Sequence, residues 1–181
     1  MSQAPILNII VAGTGGQGVF FLSNLIRKLA MIKGFKCEGA TYKGGAQRMG
    51  SVHSELRILT VENSNVHFSS SIPSGAVHLL IGMEPWEALR FADRCNGSTN
   101  AVINSNIERM YVERIQKTKL MNPIDSLKKV FSTPVIRNYD QIAIEELKET
   151  KGTNYTMLKD VIAKGFLPFT INELEAIKIK E

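Results

Sequence analysis

Apolar positions along the chain change their period in a regular order. Ile6–Ala12 is a short β-branched run closed by glycine, and it predicts a buried parallel strand. From Val19 to about Lys33 the apolar residues fall at Phe21, Leu22, Leu25, Ile26, Leu29, Ala30 and Ile32, close to the helical period, and Gly34 stops that helix. Phe35–Thr41 predicts a second strand. In Ser51–Thr60, Val52, Leu56 and Ile58 alternate with His53, Glu55 and Arg57, while Ser54 interrupts the apolar row; this predicts a strand with one wet or functional face. Ala76–Met83 is another buried run, and Pro85 opens a helix reaching about Cys95. Short strands are predicted at Ala101–Asn104 and Pro134–Arg137, and helices at Gln141–Thr150, Tyr155–Lys164 and Ile171–Lys180. Asn63–Gly75 reads as a loop. Asn106–Thr133 has the weakest pattern. The order β–loop–α–β at the start predicts a Rossmann-like, doubly wound α/β fold with a mostly parallel sheet and flanking helices, a single domain over residues 1–181.

Composition narrows the partners. The 181 residues carry a net charge of +5, a mild excess that favours anionic partners; no Lys/Arg stripe with interleaved aromatics points to nucleic acid. No run approaches the ~18 apolar residues of a membrane span, and the first residues lack a basic leader, so a cytoplasmic location is expected. The two cysteines, Cys37 and Cys95, form no CxxC motif. An iron–sulfur cluster usually takes four thiolates, so packing is the expected role of both.

Two stretches carry candidate chemistry. Gly13-Thr14-Gly15-Gly16-Gln17-Gly18 lies between a strand and a helix and fits G-x-G-x-x-G, where glycines admit close backbone approach and a helix N-terminus favours an anion. Glu38 stands roughly where a dinucleotide's ribose-binding acid belongs. The stretch YKGGAQRMGSVHSELRI, Tyr42 to Ile58, packs glycines, Lys43 and Arg48 ahead of a strand. A nicotinamide- or flavin-binding oxidoreductase and a tight βα turn with solvated loop cations both remain open on these residues.

GTGGQGV followed by YKGGAQRMGSVHSELRI resembles the gamma-type subunits of the 2-oxoacid:ferredoxin oxidoreductases (the pyruvate, ketoisovalerate and indolepyruvate family), most closely the indolepyruvate type. Gly13, Gly15, Gly16, Gln17, Gly18, Gln47, Arg48, Gly50, Ser51 and Val52 match the family's pattern, with Met49 in place of its usual glycine. Leu79–Phe91 is similar to the family's L-x-x-x-E-P-x-E-A-x-R segment. Asn154–Pro168 is similar to its tail motif, with Lys159 where glycine is common. The resemblance spans about Ile9 to Pro168.

That resemblance implies a subunit of an enzyme that oxidatively decarboxylates a 2-oxoacid to an acyl-CoA and passes electrons to ferredoxin. The chain has no GDG with a downstream Asn and no cysteine cluster. Thiamine diphosphate, magnesium and the iron–sulfur clusters are therefore expected on partner subunits, ferredoxin is an indirect partner, and the isolated chain is expected to be inactive. A homodimer is a further expectation, and the resemblance implies that this chain completes the site or helps hold coenzyme A. The candidate binding residues are Gly13, Gly15, Gly16, Gln17, Gly18, Lys43, Gly44, Gln47, Arg48 and Ser51; no catalytic residue and no metal ligand is assigned. Arg48 suits a bidentate clamp on phosphate or carboxylate, Gln47 can donate and accept, and Ser51 adds a hydroxyl. A non-enzymatic ligand-binding or assembly module is the alternative outside enzymes.

Remaining polar residues have plainer expectations. His53 is a surface or interface residue before it is a general base. His67 and His78 have no partner at metal-ligand spacing. Glu84, just before Pro85, is expected to cap a helix. Ser23 has no triad context.

Overall fold

The computed structural model describes residues 6–45, 50–61, 66–107, 121–148 and 152–178. Six strands form one sheet: β1 (Ile6–Thr14), β2 (Lys36–Lys43), β3 (Ser51–Leu59), β4 (Leu79–Gly82), β5 (Asn100–Asn104) and β6 (Val135–Arg137), in the spatial order β2-β3-β1-β4-β5-β6. The run β1-β4-β5-β6 is parallel, whereas β3 lies antiparallel between β1 and β2. Among the described residues the helices are α1 (Val19–Ile32), α2 (Pro85–Arg90), α3 (Pro123–Val130), α4 (Tyr139–Leu147), α5 (Thr153–Ala163) and α6 (Ile171–Lys178).

Two apolar layers hold the sheet. On one face Ile9, Val11, Leu56, Ile58 and Ile81 pack against Leu22, Ile26 and Leu29 of α1, Leu158 and Val161 of α5, and Leu174 of α6. On the other, Ile10, Ala12, Leu80 and Ile103 pack against Ala88 of α2, Leu127 of α3, and Phe131. Alternate residues of β1 serve opposite layers, as a doubly covered strand requires. The helix after β1 and the helix after β4 thus lie on opposite faces, so the crevice of this doubly wound sheet opens between β1 and β4 at their carboxyl ends.

The first βαβ unit differs from its expected form. β2 does not pair with β1, because β3 returns antiparallel and takes that place. Glu38 and Asn8 both pair with Arg57 of β3, so Glu38 lies level with Asn8, five residues before Gly13. That is about 17 Å along the strand from the glycine loop, and a ribose held at the loop is out of reach of this carboxylate. The face of β3 expected to be wet is covered as well. Glu55 is buried; its carboxylate pairs with Arg94 at 3.1 Å and accepts from the Ile72 N–H at 2.9 Å. Arg57 donates to the Asn8 side chain and to the carbonyls of Ser69 and Ser71, tying the loop before β4 to the sheet.

The helix expected from Pro85 to Cys95 ends at Arg90 and continues as a 3-10 turn over Ala92–Arg94. Helix α3 arises in the weakly patterned region: Asn122 caps it through the Ile124 N–H, and Pro123 occupies its first turn. Among the described residues no helix is long and apolar enough to cross a membrane.

Candidate functional site

The glycine loop continues β1 and is closed by its own side chain. The Thr14 N–H donates to Gln17 Oε1 at 2.9 Å, and the Gln17 N–H donates to the Thr14 carbonyl at 3.2 Å. Gly16 and Gly18 turn the chain with φ of 106° and 83°, a region that L side chains avoid. Gly18 is also the N-cap of α1, with no side chain capping that end.

The β2–β3 tip leans on this loop. Gly15 N–H donates to the Gly50 carbonyl at 2.8 Å, and Gly44 N–H to the Ser51 carbonyl at 2.8 Å. Thr14, Gly15, Gly16, Gly18, Val19, Phe20, Lys43, Gly44, Gly45 and Val52 thereby line one groove of about 550 Å³. Of the candidate binding residues, Gly15, Gly16, Gly18, Lys43 and Gly44 meet there. Gly13 lies beneath, so tightly packed that a Cβ would stand 3.0 Å from Met83 Cβ and 2.8 Å from Gln17 Oε1. Ser51 is held toward α2, donating to Glu87 Oε2 at 2.6 Å while Arg90 engages Glu87 Oε1 at 3.0 Å. Gln47 and Arg48 lie outside the described residues.

A second recess, of about 260 Å³, lies beside the groove and shares Gly16 and Gly18 with it. Its other lining residues are Gln17, Met83, Asn104, Asp140, Thr153 and Asn154. Sequence reasoning missed the last four as a set. They come from the end of β5, the start of α4 and the start of α5, which only the fold brings together. Asn154 was visible as the first residue of the tail motif, but without a role. Asp140 Oδ2 accepts from Asn104 Nδ2 at 3.0 Å and Asn106 Nδ2 at 2.9 Å, and its Oδ1 from Thr153 Oγ at 2.7 Å; Asn104 Oδ1 in turn accepts from the Tyr139 N–H.

His53 stacks on Tyr42, with ring centroids 4.8 Å apart, and meets Phe91 in a tilted contact, with centroids 4.6 Å apart. Burial lowers its pKa below the ordinary 6.5; Glu55 and Glu87 oppose that shift and Arg94 adds to it. This is a packed ring. His78 accepts from the Asn8 N–H through Nδ1, and burial lowers its pKa too. Glu84 caps α2 by accepting from the Glu87 N–H. Ser23 joins a buried hydroxyl chain through Ser54 to Thr41. Cys37 packs with the α1 layer and Cys95 with the α2 layer, each thiol pushed up to about 11 by burial. Two protonated thiols on opposite faces of the sheet do not fit an iron–sulfur cluster, and no group of three metal-ligating side chains assembles among the described residues.

Residues 8–177 match the family model described as pyruvate ferredoxin/flavodoxin oxidoreductase. The chain belongs to this family. It is 31% identical over 172 residues to the indolepyruvate oxidoreductase subunit IorB of Archaeoglobus fulgidus, covering 93% of this chain and 82% of that one. It is 36% identical over 100 residues to IorB of Methanothermobacter thermautotrophicus, covering 55% and 48% of the two chains. The fold is shared with pyruvate oxidoreductase subunit PORC of Thermotoga maritima (TM-score 0.67, 13% identity, 98% of this chain and 85% of that chain). It is also shared with a 2-oxoglutarate:ferredoxin oxidoreductase chain of Magnetococcus marinus, solved with 2-oxoglutarate, coenzyme A and succinyl-CoA (TM-score 0.68, 14% identity, 97% and 27%).

Proposed function

We propose that the chain is the small, gamma-type subunit of a 2-oxoacid:ferredoxin oxidoreductase of the indolepyruvate or pyruvate type, and that its glycine groove holds the anionic part of coenzyme A. The observation that carries this reading is the convergence of Gly15, Gly16, Gly18, Gly44 and Lys43 on one groove at the N-terminus of α1. The Gly15 and Gly44 N–H groups hold the rim together, while a helix N-terminus and an ammonium at that rim suit phosphate oxygens. Family membership and the indolepyruvate relatives favour the subunit role. Coenzyme A supplies the thiol that accepts the acyl group. This chain's part is to bind and orient that coenzyme at the rim formed by the glycine loop and the β2–β3 tip. Thiamine diphosphate, magnesium and iron–sulfur clusters belong to partner subunits in the cytoplasm, and ferredoxin is reached through them. The displacement of β2 from β1 speaks against a free-standing dinucleotide enzyme, since Glu38 cannot serve the loop.

The test is steady-state kinetics of the complex reassembled with its thiamine-diphosphate subunit, varying coenzyme A and each of indolepyruvate, pyruvate and 2-oxoglutarate separately. Arg48→Ala removes a charge-assisted fork, and the expected loss in kcat/KM is roughly 10–150-fold. Arg48→Lys restores only part of it, keeping the charge without the fork. Lys43→Ala is expected to raise the coenzyme A requirement and leave the oxoacid requirement unchanged. Variants that reassemble and turn over like the parent protein would make this rim a spacer.

A further inference from the structure

The recess beside the groove is built from the carboxyl-end connections of all four parallel strands: Gly16–Gly18 after β1, Met83 after β4, Asn104 ending β5 and Asp140 after β6. At about 260 Å³ it far exceeds the ~10–15 Å³ that one water needs. Its polar side chains are committed with one exception. Gln17 Oε1 is held by Thr14, and Asn104, Asp140 and Thr153 bond one another or Tyr139. Asn154 is nine-tenths buried, yet its Oδ1 has no hydrogen-bond partner. Its carboxamide presses on Gly18, where a Cβ would stand 2.2 Å from Nδ2. A buried acceptor left unpaired costs its full desolvation; Asn154 lines the recess, and rotation of its carboxamide would bring Oδ1 to it.

We propose that this recess is an adenine pocket, in which the Asn154 carboxamide pairs with the amino edge of the base. Asparagine offers an acceptor and a donor in one plane, and adenine presents an amine beside a ring nitrogen, which gives a two-point match. The last torsion of asparagine is broad, so Oδ1 can turn to the ligand without backbone movement. Met83, almost fully buried, supplies a polarizable thioether against the ring. Charge divides the two spaces. Asp140 lines the recess and repels phosphate there; Lys43 lines the groove and attracts it. A nucleotide would cross the shared wall at Gly16 and Gly18 with its base inside and its phosphates outside. In this last respect the proposal rests on the anion-binding reading of the groove.

Titration of the full chain, followed by calorimetry and by the side-chain amide resonances of Asn154, separates the two. Adenosine probes the recess alone and pyrophosphate the groove alone. Adenosine is expected to move the Asn154 resonances and to bind at least ~10-fold more tightly than inosine, whose keto group replaces the amine. Asn154→Ala should weaken adenosine by a similar factor and leave pyrophosphate untouched; Lys43→Ala should do the reverse. The adenosine-to-inosine ratio needs only the parent protein, so it decides the matter even if Asn154→Ala fails to fold. Equal affinities for the two nucleosides overturn the adenine pocket. So does pyrophosphate binding without adenosine binding up to the order of 1 mM, which leaves the groove standing. Adenosine binding without pyrophosphate binding sinks the groove and keeps the pocket.

Discussion

Gly18 meets two constraints at once. Its φ of 83° lies where a Cβ strains the backbone, and the place a Cβ would take is occupied by the Asn154 carboxamide. Gly18→Ala is therefore expected to cost roughly 2 kcal/mol or more, a fall in Tm of about 4–8 °C for a chain of this size. Gly16 has φ 106° but open space around a would-be Cβ. Gly16→Ala should cost less in Tm while placing a methyl in the wall between groove and recess. Differential scanning calorimetry of the two variants checks the order. His53 and His78 set a pH dependence. Both have pKa values lowered by burial, so the unfolded chain protonates first as pH falls. Their contribution is complete above about 6.5 and is lost as pH drops through the lower folded values. Urea midpoints measured from pH 7.5 to 5 should decline, and His53→Phe, which keeps a ring between Tyr42 and Phe91, should flatten part of that decline.

At the scale of elements, the β2–β3 pair is fastened from both sides. Ser54 meets Ser23 of α1, and Ser51 meets Glu87 of α2. The Glu55–Arg94 pair joins β3 to the turn after α2 and, through the Ile72 N–H and carbonyl, to the loop before β4. Arg94→Ala leaves a buried carboxylate facing one N–H and is expected to cost about 3 kcal/mol. Replacing both partners, Glu55→Leu with Arg94→Met, should recover much of that loss, because an apolar pair leaves no uncompensated charge. Denaturant unfolding of the two single variants and the double variant is the measurement. Recovery by the double variant would assign the cost of Arg94→Ala to the stranded charge, and a further loss would assign it to packing.

For the whole molecule, the expectation is catalytic silence in isolation. The carbanion-forming cofactor and the electron carriers require motifs and thiolate sets that these residues do not provide. Purified chain, supplied with indolepyruvate, coenzyme A and an artificial acceptor, should show no turnover until a thiamine-diphosphate subunit is added. NADH should fail to bind at micromolar concentrations, since the sheet order keeps Glu38 from the loop. Micromolar binding that Glu38→Ala weakens would reverse that reading of the fold.

The local pattern was enough to place β1, α1, β3 and α5 to within a few residues, because each combines one period with a punctuating glycine or a sharp change of polarity. The turns of the glycine loop were legible too, since the positive φ of Gly16 and Gly18 demands glycine. Helix α3 was hidden because its apolar contribution is small, although Asn122–Pro123 announced its start. Glu55 looked like a wet-face residue because alternation records which side a side chain takes, not what later covers it. Sheet order decided the rest. Period-2 alternation cannot say which strand lies beside β1, and the hairpin that displaced β2 removed Glu38 from the loop. The recess is likewise tertiary: Asn104, Asp140 and Asn154 are separated by 36 and 14 positions. They meet only because parallel strands deliver their carboxyl ends to one edge, and no local preference encodes that meeting.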